Sequence, residues 1–232
     1  TGSLGVLASA SLGARGQPDE AIVVKPSNWI NNLLPELCLS ARDMRPLFVV
    51  SSRRAFLRAV FRGGRDRLAF TARLAAHLAS ARSSHQALLN AAIHAASDPL
   101  GQAAHLAAFA HWLQHRLFRR AMLAGGWGSD HVVTFDRIEQ APHAAAAAAN
   151  AALDLGLSPA DLTDGVARNT SRNAKQPDAA YSAEERFEAD RKVERVHGPH
   201  IEAALAWARD LLAEDDPSFA GEREAVESLR FG

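Results

Sequence analysis

Cysteine is almost missing from this chain, which has 232 residues and one cysteine, Cys38. An internal disulfide is therefore excluded, and so is a zinc site built on cysteines. Cys38 follows an apolar helical pattern, where a small thiol is usually a packing residue. A single free cysteine fits a reducing compartment, so we predict a cytoplasmic protein.

Net charge and long apolar runs are missing as well. The chain has 26 basic and 26 acidic side chains, so a general attraction to nucleic acid or to an anionic membrane is not indicated. No apolar stretch free of charges approaches the length that spans a membrane. The prediction is therefore a chain that binds neither nucleic acid nor membrane.

Apolar residues, alanine above all, are plentiful. They make up 47% of the chain, which at this length is enough to bury one sizeable core. We predict a single domain over residues 1–232. The abundance of alanine and the preference for arginine over lysine are typical of a GC-rich bacterial genome.

Two short apolar runs near the N-terminus each stop at polar residues and lead into a helical pattern. Residues 21–24 are followed by Lys25, and residues 46–50 are followed by Ser51, Ser52, Arg53 and Arg54. In open α/β sheets, anions bind where strands end and helices begin. The pattern predicts an α/β fold with a phosphate or sulfate site formed by these cations. The alternative is that the serines are ordinary helix caps and the arginines a solvated surface.

A large helical region is predicted between the second apolar run and a third strand at residues 131–135. It covers about residues 66–124, where apolar side chains recur at helical spacing. Serines at 83 and 97 mark breaks, and Pro99 is expected as the first residue of a helix. We therefore predict a helical insertion between strands.

Three histidines in this insertion could carry chemistry. His111 and His115 are four residues apart, a spacing that two metal ligands can use, and His105 precedes them. No Asp, Glu or Cys lies within one turn of them, so no metal site is predicted. We predict surface or packing histidines, with a base in a pocket as the alternative.

The rest of the chain alternates helical and polar stretches. A helix is predicted over residues 142–153, and a polar loop over residues 163–181, which contains Arg172. That loop either contacts an anionic ligand or is solvated. A capping box at Ser182 then begins a helix, which Gly198 and Pro199 are expected to interrupt.

Several of these stretches resemble the sulfotransferases that use 3'-phosphoadenosine 5'-phosphosulfate. Residues 24–27 (VKPS) and 47–54 (LFVVSSRR) resemble that family's Lys-Thr-His segment and its 3'-phosphate-binding strand and helix. Residues 132–136 (VVTFD) and the alanine-rich helix ending in 155–157 (LGL) are similar to its late strand, acidic turn and helix. The resemblance covers half of the chain and implies a P-loop-type, mostly parallel sheet with a large inserted helical region.

The resemblance also implies a reaction and a set of residues. The reaction is transfer of a sulfonyl group from the phosphosulfate donor to a small-molecule, glycan or peptide acceptor. Lys25 would be catalytic, as the cation at the leaving oxygen. Ser51, Arg53 and Arg54 would bind the cofactor, together with Arg172 of the late loop.

The chain departs from the family at three positions. The family's catalytic histidine falls on Ser27, its phosphate-binding arginine on Ser51 and its helix serine on Ala59. Residues 2–16 contain glycine but no lysine, so the family's 5'-phosphosulfate loop is not found. Because the chain opens at Thr1, we expect that loop in a segment upstream. Two alternatives stay open, a non-catalytic binding module on the same scaffold and a P-loop phosphotransferase.

Overall fold

The structure is a computed structural model that describes residues 23–40, 44–170, 172–173, 176–180 and 183–214. Its α-helices are α1 (Leu34–Ser40), α2 (Arg53–Arg62), α3 (Gly64–Ala79), α4 (Ser83–His94), α5 (Pro99–Gly125), α6 (Phe135–Gln140), α7 (Pro142–Leu153), α8 (Pro159–Thr170) and α9 (Ala183–Glu214). Its strands are β1 (Phe48–Val50), β2 (Val132–Thr134), β3 (Arg172–Asn173) and β4 (Gln176–Ala180). Two short 3-10 helices cover Asn28–Leu33 and Ser129–His131.

The mostly parallel sheet predicted from the sequence is not formed by the described residues. Their strands make two separate pairs, β1 with β2 in parallel and β3 with β4 antiparallel. The P-loop-type α/β fold class is therefore wrong, and the described residues form a predominantly helical fold. The reason is that β1 and β2 are only three residues long, while the long helices bury most of the core.

The first predicted strand is wrong where the structure describes it. Val23 and Val24 lie in an irregular segment and are 64% and 58% exposed. The other half of that apolar run, residues 21–22, lies outside the described residues. A short apolar run forms a strand only when a neighbouring strand satisfies its backbone groups. None of the described strands pairs with Val23 or Val24.

The second and third predicted strands are confirmed as β1 and β2. Phe48 pairs with Val132, and Val50 pairs with Thr134. Because the strands are parallel, their carboxyl ends lie at one edge, which we call the carboxyl edge. Phe48 and Val50 face the core, whereas Val49 is 47% exposed.

Helix α5 is the centre of the fold and packs against α1, α3, α4 and α9. It has 27 residues and begins at Pro99, as predicted. Asp98 caps it by accepting hydrogen bonds from the amides of Leu100 and Gly101. Gly126 follows the helix as its C-cap, and its φ of 69° is a left-handed conformation that glycine adopts without strain. Among the described helices, none is long and apolar enough to cross a membrane.

Two core clusters lie on opposite sides of α5. One joins α5 to α3 and α4 and includes Leu74, Leu78, Leu89, Phe109 and Leu113. The other joins α5 to α2 and α9 and includes Leu57, Val60, Ala104, Ala108 and Ile201. The buried alanines of α5 leave room for α2 and α9 to pack closely.

A smaller cluster connects α1, β1 and α5. It contains Cys38, Phe48 and Ala121. Burial raises the pKa of the Cys38 thiol to about 11, so the thiol is protonated at neutral pH. A packing role for this cysteine agrees with its position.

The C-terminal region differs from the sequence prediction in two places. Helix α8 extends to Thr170 and strands β3 and β4 follow it, so the loop predicted over residues 163–181 is wrong where the structure describes it. Helix α9 continues through Gly198 and Pro199, so the predicted interruption is wrong too. An interior proline costs about 3 kcal/mol. The buried side chains of Val193 and Ile201 on either side of it offset that cost.

Candidate functional site

The carboxyl edge brings two strand-to-helix junctions together. After β1, the Ser52 hydroxyl accepts a hydrogen bond from the Ala55 amide at 3.2 Å and caps α2. After β2, the Thr134 hydroxyl accepts one from the Arg137 amide at 3.2 Å and caps α6. Residues 51–54 are called the β1–α2 turn below. The N-terminus of the ten-residue α2 places a partial positive charge there.

The β1–α2 turn is held from behind by His111 of α5. The His111 Nε2 lies 2.8 Å from the carbonyl oxygen of Ser51, and since a carbonyl only accepts, the imidazole donates. His111 is 6% exposed, and its ring centroid lies 5.3 Å from that of Phe56 in the first turn of α2. The spacing of the histidines could not reveal this contact, because its partner is 60 positions away.

His115 lies one helical turn beyond His111. Their ring centroids are 4.0 Å apart. Burial, with a smaller effect from the charge of Arg53, lowers the pKa of His115 to about 4. The imidazole is therefore neutral at pH 7 and resists protonation. The described residues contain no group of three or more side chains that could hold a metal ion.

Arg54, a predicted cofactor-binding residue, is bound by α9. Its Nη1 lies 3.1 Å and 3.3 Å from the two carboxylate oxygens of Glu194, and its Nη2 also bonds to Glu202. The hydrogen bond that Arg54 donates to Glu202, with a smaller effect from Glu194, raises the pKa of Arg54. Arg58 lies 3.9 Å from Glu194. The basic face of α2 is thus neutralised by an acidic face of α9.

Helix α9 also reaches the second junction. Arg186, near its start, pairs with Glu139 of α6. The guanidinium of Arg186 lies 4.8 Å from the ring centroid of Phe135. Burial lowers the pKa of Arg186, and the charge of Arg62 adds to that effect. Helix α9 therefore contacts the helices that follow both strands of the parallel pair.

Lys25, the predicted catalytic residue, lies in a different segment from the β1–α2 turn. It is exposed, in the irregular segment before the 3-10 helix Asn28–Leu33. That helix is held on α3, where His77 Nε2 donates to the Trp29 carbonyl at 2.8 Å. Within the described residues, no hydrogen bond or ion pair joins Lys25 to the β1–α2 turn. The side chain of Ser27 does not cap the 3-10 helix.

Of the remaining predicted site residues, Ser51 and Arg53 lie at the β1–α2 turn and Arg172 lies elsewhere. Ser51 is half-buried at the end of β1, and Arg53 begins α2. Arg172 begins β3, and its side chain is outside the described part of the structure. The structure therefore brings Ser51, Arg53 and Arg54 together at one turn and leaves Lys25 in a separate segment.

Comparison with known proteins adds no assignment. No family model matches the chain, and searches of curated proteins and of solved structures find no significant match. Membership of the sulfotransferase family stays a prediction that depends on the quoted motifs.

Proposed function

We propose that this protein is a cytoplasmic, sulfotransferase-like protein. It would transfer a sulfonyl group from 3'-phosphoadenosine 5'-phosphosulfate to a small-molecule, glycan or peptide acceptor. The observation that carries the proposal is the carboxyl edge. Two of the segments that resemble sulfotransferases, residues 47–54 and 132–136, contain the two strands that pair there. Four α-helices separate these strands in the sequence, so their meeting is not a local effect.

The residues at this edge suit a phosphorylated donor. The first-turn amides of α2 can donate to phosphate oxygens, as helix N-termini commonly do. The hydroxyls of Ser51 and Ser52 can add hydrogen bonds, and Arg53 adds positive charge. Arg54 can bind the donor once it leaves Glu194 and Glu202.

The transfer step needs a cation at the leaving oxygen and a base at the acceptor. The acceptor oxygen or nitrogen forms a bond to sulfur while the bond from sulfur to the bridging oxygen breaks, and the electron pair stays on the phosphate. Lys25 is the candidate cation, provided that its segment moves to the carboxyl edge. Ser27 cannot act as a base, so Asp136 or a histidine of α5 would have to accept the acceptor's proton.

Calorimetric titration with adenosine 3',5'-bisphosphate, the product of the donor, tests the proposal. We expect binding with Kd on the order of micromolar, weakened at least about tenfold in Lys25→Ala and in Arg54→Ala. The matched controls are Lys192→Ala and Arg195→Ala, which remove exposed cations from α9. An equal loss in the controls would mean that binding is non-specific. The absence of both binding heat and a thermal shift in the wild type would overturn the proposal.

A non-catalytic binding module is the second candidate. Two observations favour it: the pairing of Arg54 with two carboxylates and the serine at the position of the family's catalytic histidine. Incubation of the protein with the phosphosulfate donor and a phenol or an amine distinguishes the two candidate functions. Binding of the nucleotide without release of the bisphosphate would favour the module. Release of the bisphosphate with sulfonation of the acceptor would favour the enzyme.

A further inference from the structure

The hydrogen bond from His111 to Ser51 fixes a peptide group at the centre of the proposed site. It joins α5 to the β1–α2 turn at 2.8 Å. His111 is 6% exposed, so little water competes for the Ser51 carbonyl. The orientation of this carbonyl is therefore set by α5 rather than by solvent.

The same peptide group carries the amide of Ser52. In a planar trans peptide, the C=O and N–H bonds point in opposite directions. Since the Ser51 carbonyl points toward α5, the Ser52 N–H points away from α5. Ser52 itself is exposed, so the turn is accessible to a ligand.

We propose that His111 is a positioning residue for oxyanion binding at the β1–α2 turn. Its imidazole holds the peptide between Ser51 and Ser52 so that the Ser52 N–H donates to a phosphate group of the ligand. Contacts with the rings of Phe56 and His115 restrain the imidazole. This inference rests on the proposed function, because it names the residue that prepares that site for its ligand.

Helix α5 supplies a matched control for a purely structural role. His105 is also buried, at 4% exposed. Its Nδ1 lies 2.7 Å from the Gly101 carbonyl oxygen, and its ring lies 5.4 Å from that of Trp207. The hydrogen bond of His105 stays within α5, so its loss leaves the β1–α2 turn untouched.

The test compares the full chain with His111→Phe, His111→Gln and His105→Phe. Calorimetry measures the Kd for adenosine 3',5'-bisphosphate, and thermal unfolding measures Tm. We expect His111→Phe to weaken binding about tenfold, the usual effect of losing one hydrogen bond. His111→Gln should recover most of the affinity, because its side-chain amide can donate to the same carbonyl. His105→Phe should lower Tm and leave Kd unchanged within about twofold.

Three outcomes would overturn this inference. Wild-type affinity in His111→Phe, or an equal loss in His111→Phe and His105→Phe, would leave only a packing role. The third outcome needs no variant: if the wild type binds the nucleotide and the Ser52 amide gains no protection from hydrogen exchange, the peptide is not a ligand donor. A wild type that binds no nucleotide is a different result, because it removes the proposed function itself and the inference with it.

Discussion

The guanidinium of Arg54 lies 3.1 Å from a carboxylate oxygen of Glu194, although the two residues are 140 positions apart in the chain. This pair joins α2 to α9. Arg54 is also one of the cations proposed to bind the phosphosulfate donor. Because one guanidinium cannot serve both anions fully, packing of α9 and ligand binding compete for it.

Removing the two carboxylates therefore has opposite effects on binding and on stability. The double variant Glu194→Gln with Glu202→Gln should bind adenosine 3',5'-bisphosphate about threefold more tightly, because Arg54 becomes available. Its free energy of unfolding should fall by about 0.5–1 kcal/mol, the usual range for partly exposed ion pairs. Calorimetry and urea unfolding measure the two effects. Glu188→Gln is the control, since Glu188 pairs with Arg191 of the same helix. Unchanged affinity in the double variant would contradict the competition.

Buried histidines make the fold sensitive to acid. Burial, with smaller effects from Arg116, Arg82 and Arg120, lowers the pKa of His85 from 6.5 to about 4. Between those two pH values the unfolded chain binds a proton at this position and the folded protein does not. The stability that neutral His85 provides is complete above pH 6.5 and is lost as the pH falls toward about 4.

Urea unfolding over this pH range measures the effect. The slope of stability against pH should be smaller in His85→Leu than in the wild type, by about 1.4 kcal/mol per pH unit. His94→Leu is the matched control, because it removes an exposed histidine from the same helix and keeps His85. Identical slopes in the wild type and His85→Leu would show that His85 does not resist protonation.

Packing of α2 against α9 depends on Leu57, which is fully buried. Leu57→Ala should lower the free energy of unfolding by about 2–5 kcal/mol, through lost burial and a cavity. Leu123→Ala makes the same substitution at a position that is 69% exposed, and should cost less than about 0.5 kcal/mol. Urea unfolding of both variants is the measurement. Similar costs at the two positions would contradict the placement of α2 in the core.

Replacement of glycine by alanine should have opposite effects on stability at Gly126 and at Gly165. A Cβ at Gly126 or at Gly165 would meet no atom within 4 Å, so backbone conformation decides both outcomes. Gly126→Ala should destabilise by about 1–2 kcal/mol, because alanine is strained at its φ of 69°. Gly165→Ala lies inside α8 and should stabilise by about 0.5–1 kcal/mol. Thermal unfolding measures both signs, and stabilisation by Gly126→Ala would refute the helix end placed there.

The elements that the sequence predicted well are those whose signals are local. Ser52 and Pro99 mark helix starts by their own chemistry, and the apolar periodicity of α5 continues for many turns. Val23 and Val24 have the same apolar character as β1, but a strand also needs a neighbour, which a local pattern cannot supply. Pro199 stays inside α9 because packing at Ile201 outweighs its local preference.

The candidate site, too, was predictable only where its residues are close together in the sequence. Sequence spacing brings Ser51, Arg53 and Arg54 to one turn, since they are consecutive or nearly so. It cannot indicate that His111 donates to Ser51 or that Glu194 holds Arg54, because each contact joins distant parts of the chain. Such contacts are seen only in the side-chain geometry of the folded protein.

The pairing of β1 with β2 across four helices also sets an order of assembly. The pairing of six strand residues alone does not offset the entropy lost on closing so long a loop. Helices α2, α3, α4 and α5 must therefore pack together before the two strands meet. The carboxyl edge would then form after these helices. It would also be the first to come apart when the helices loosen, so nucleotide affinity should vanish at a lower urea concentration than helical circular dichroism.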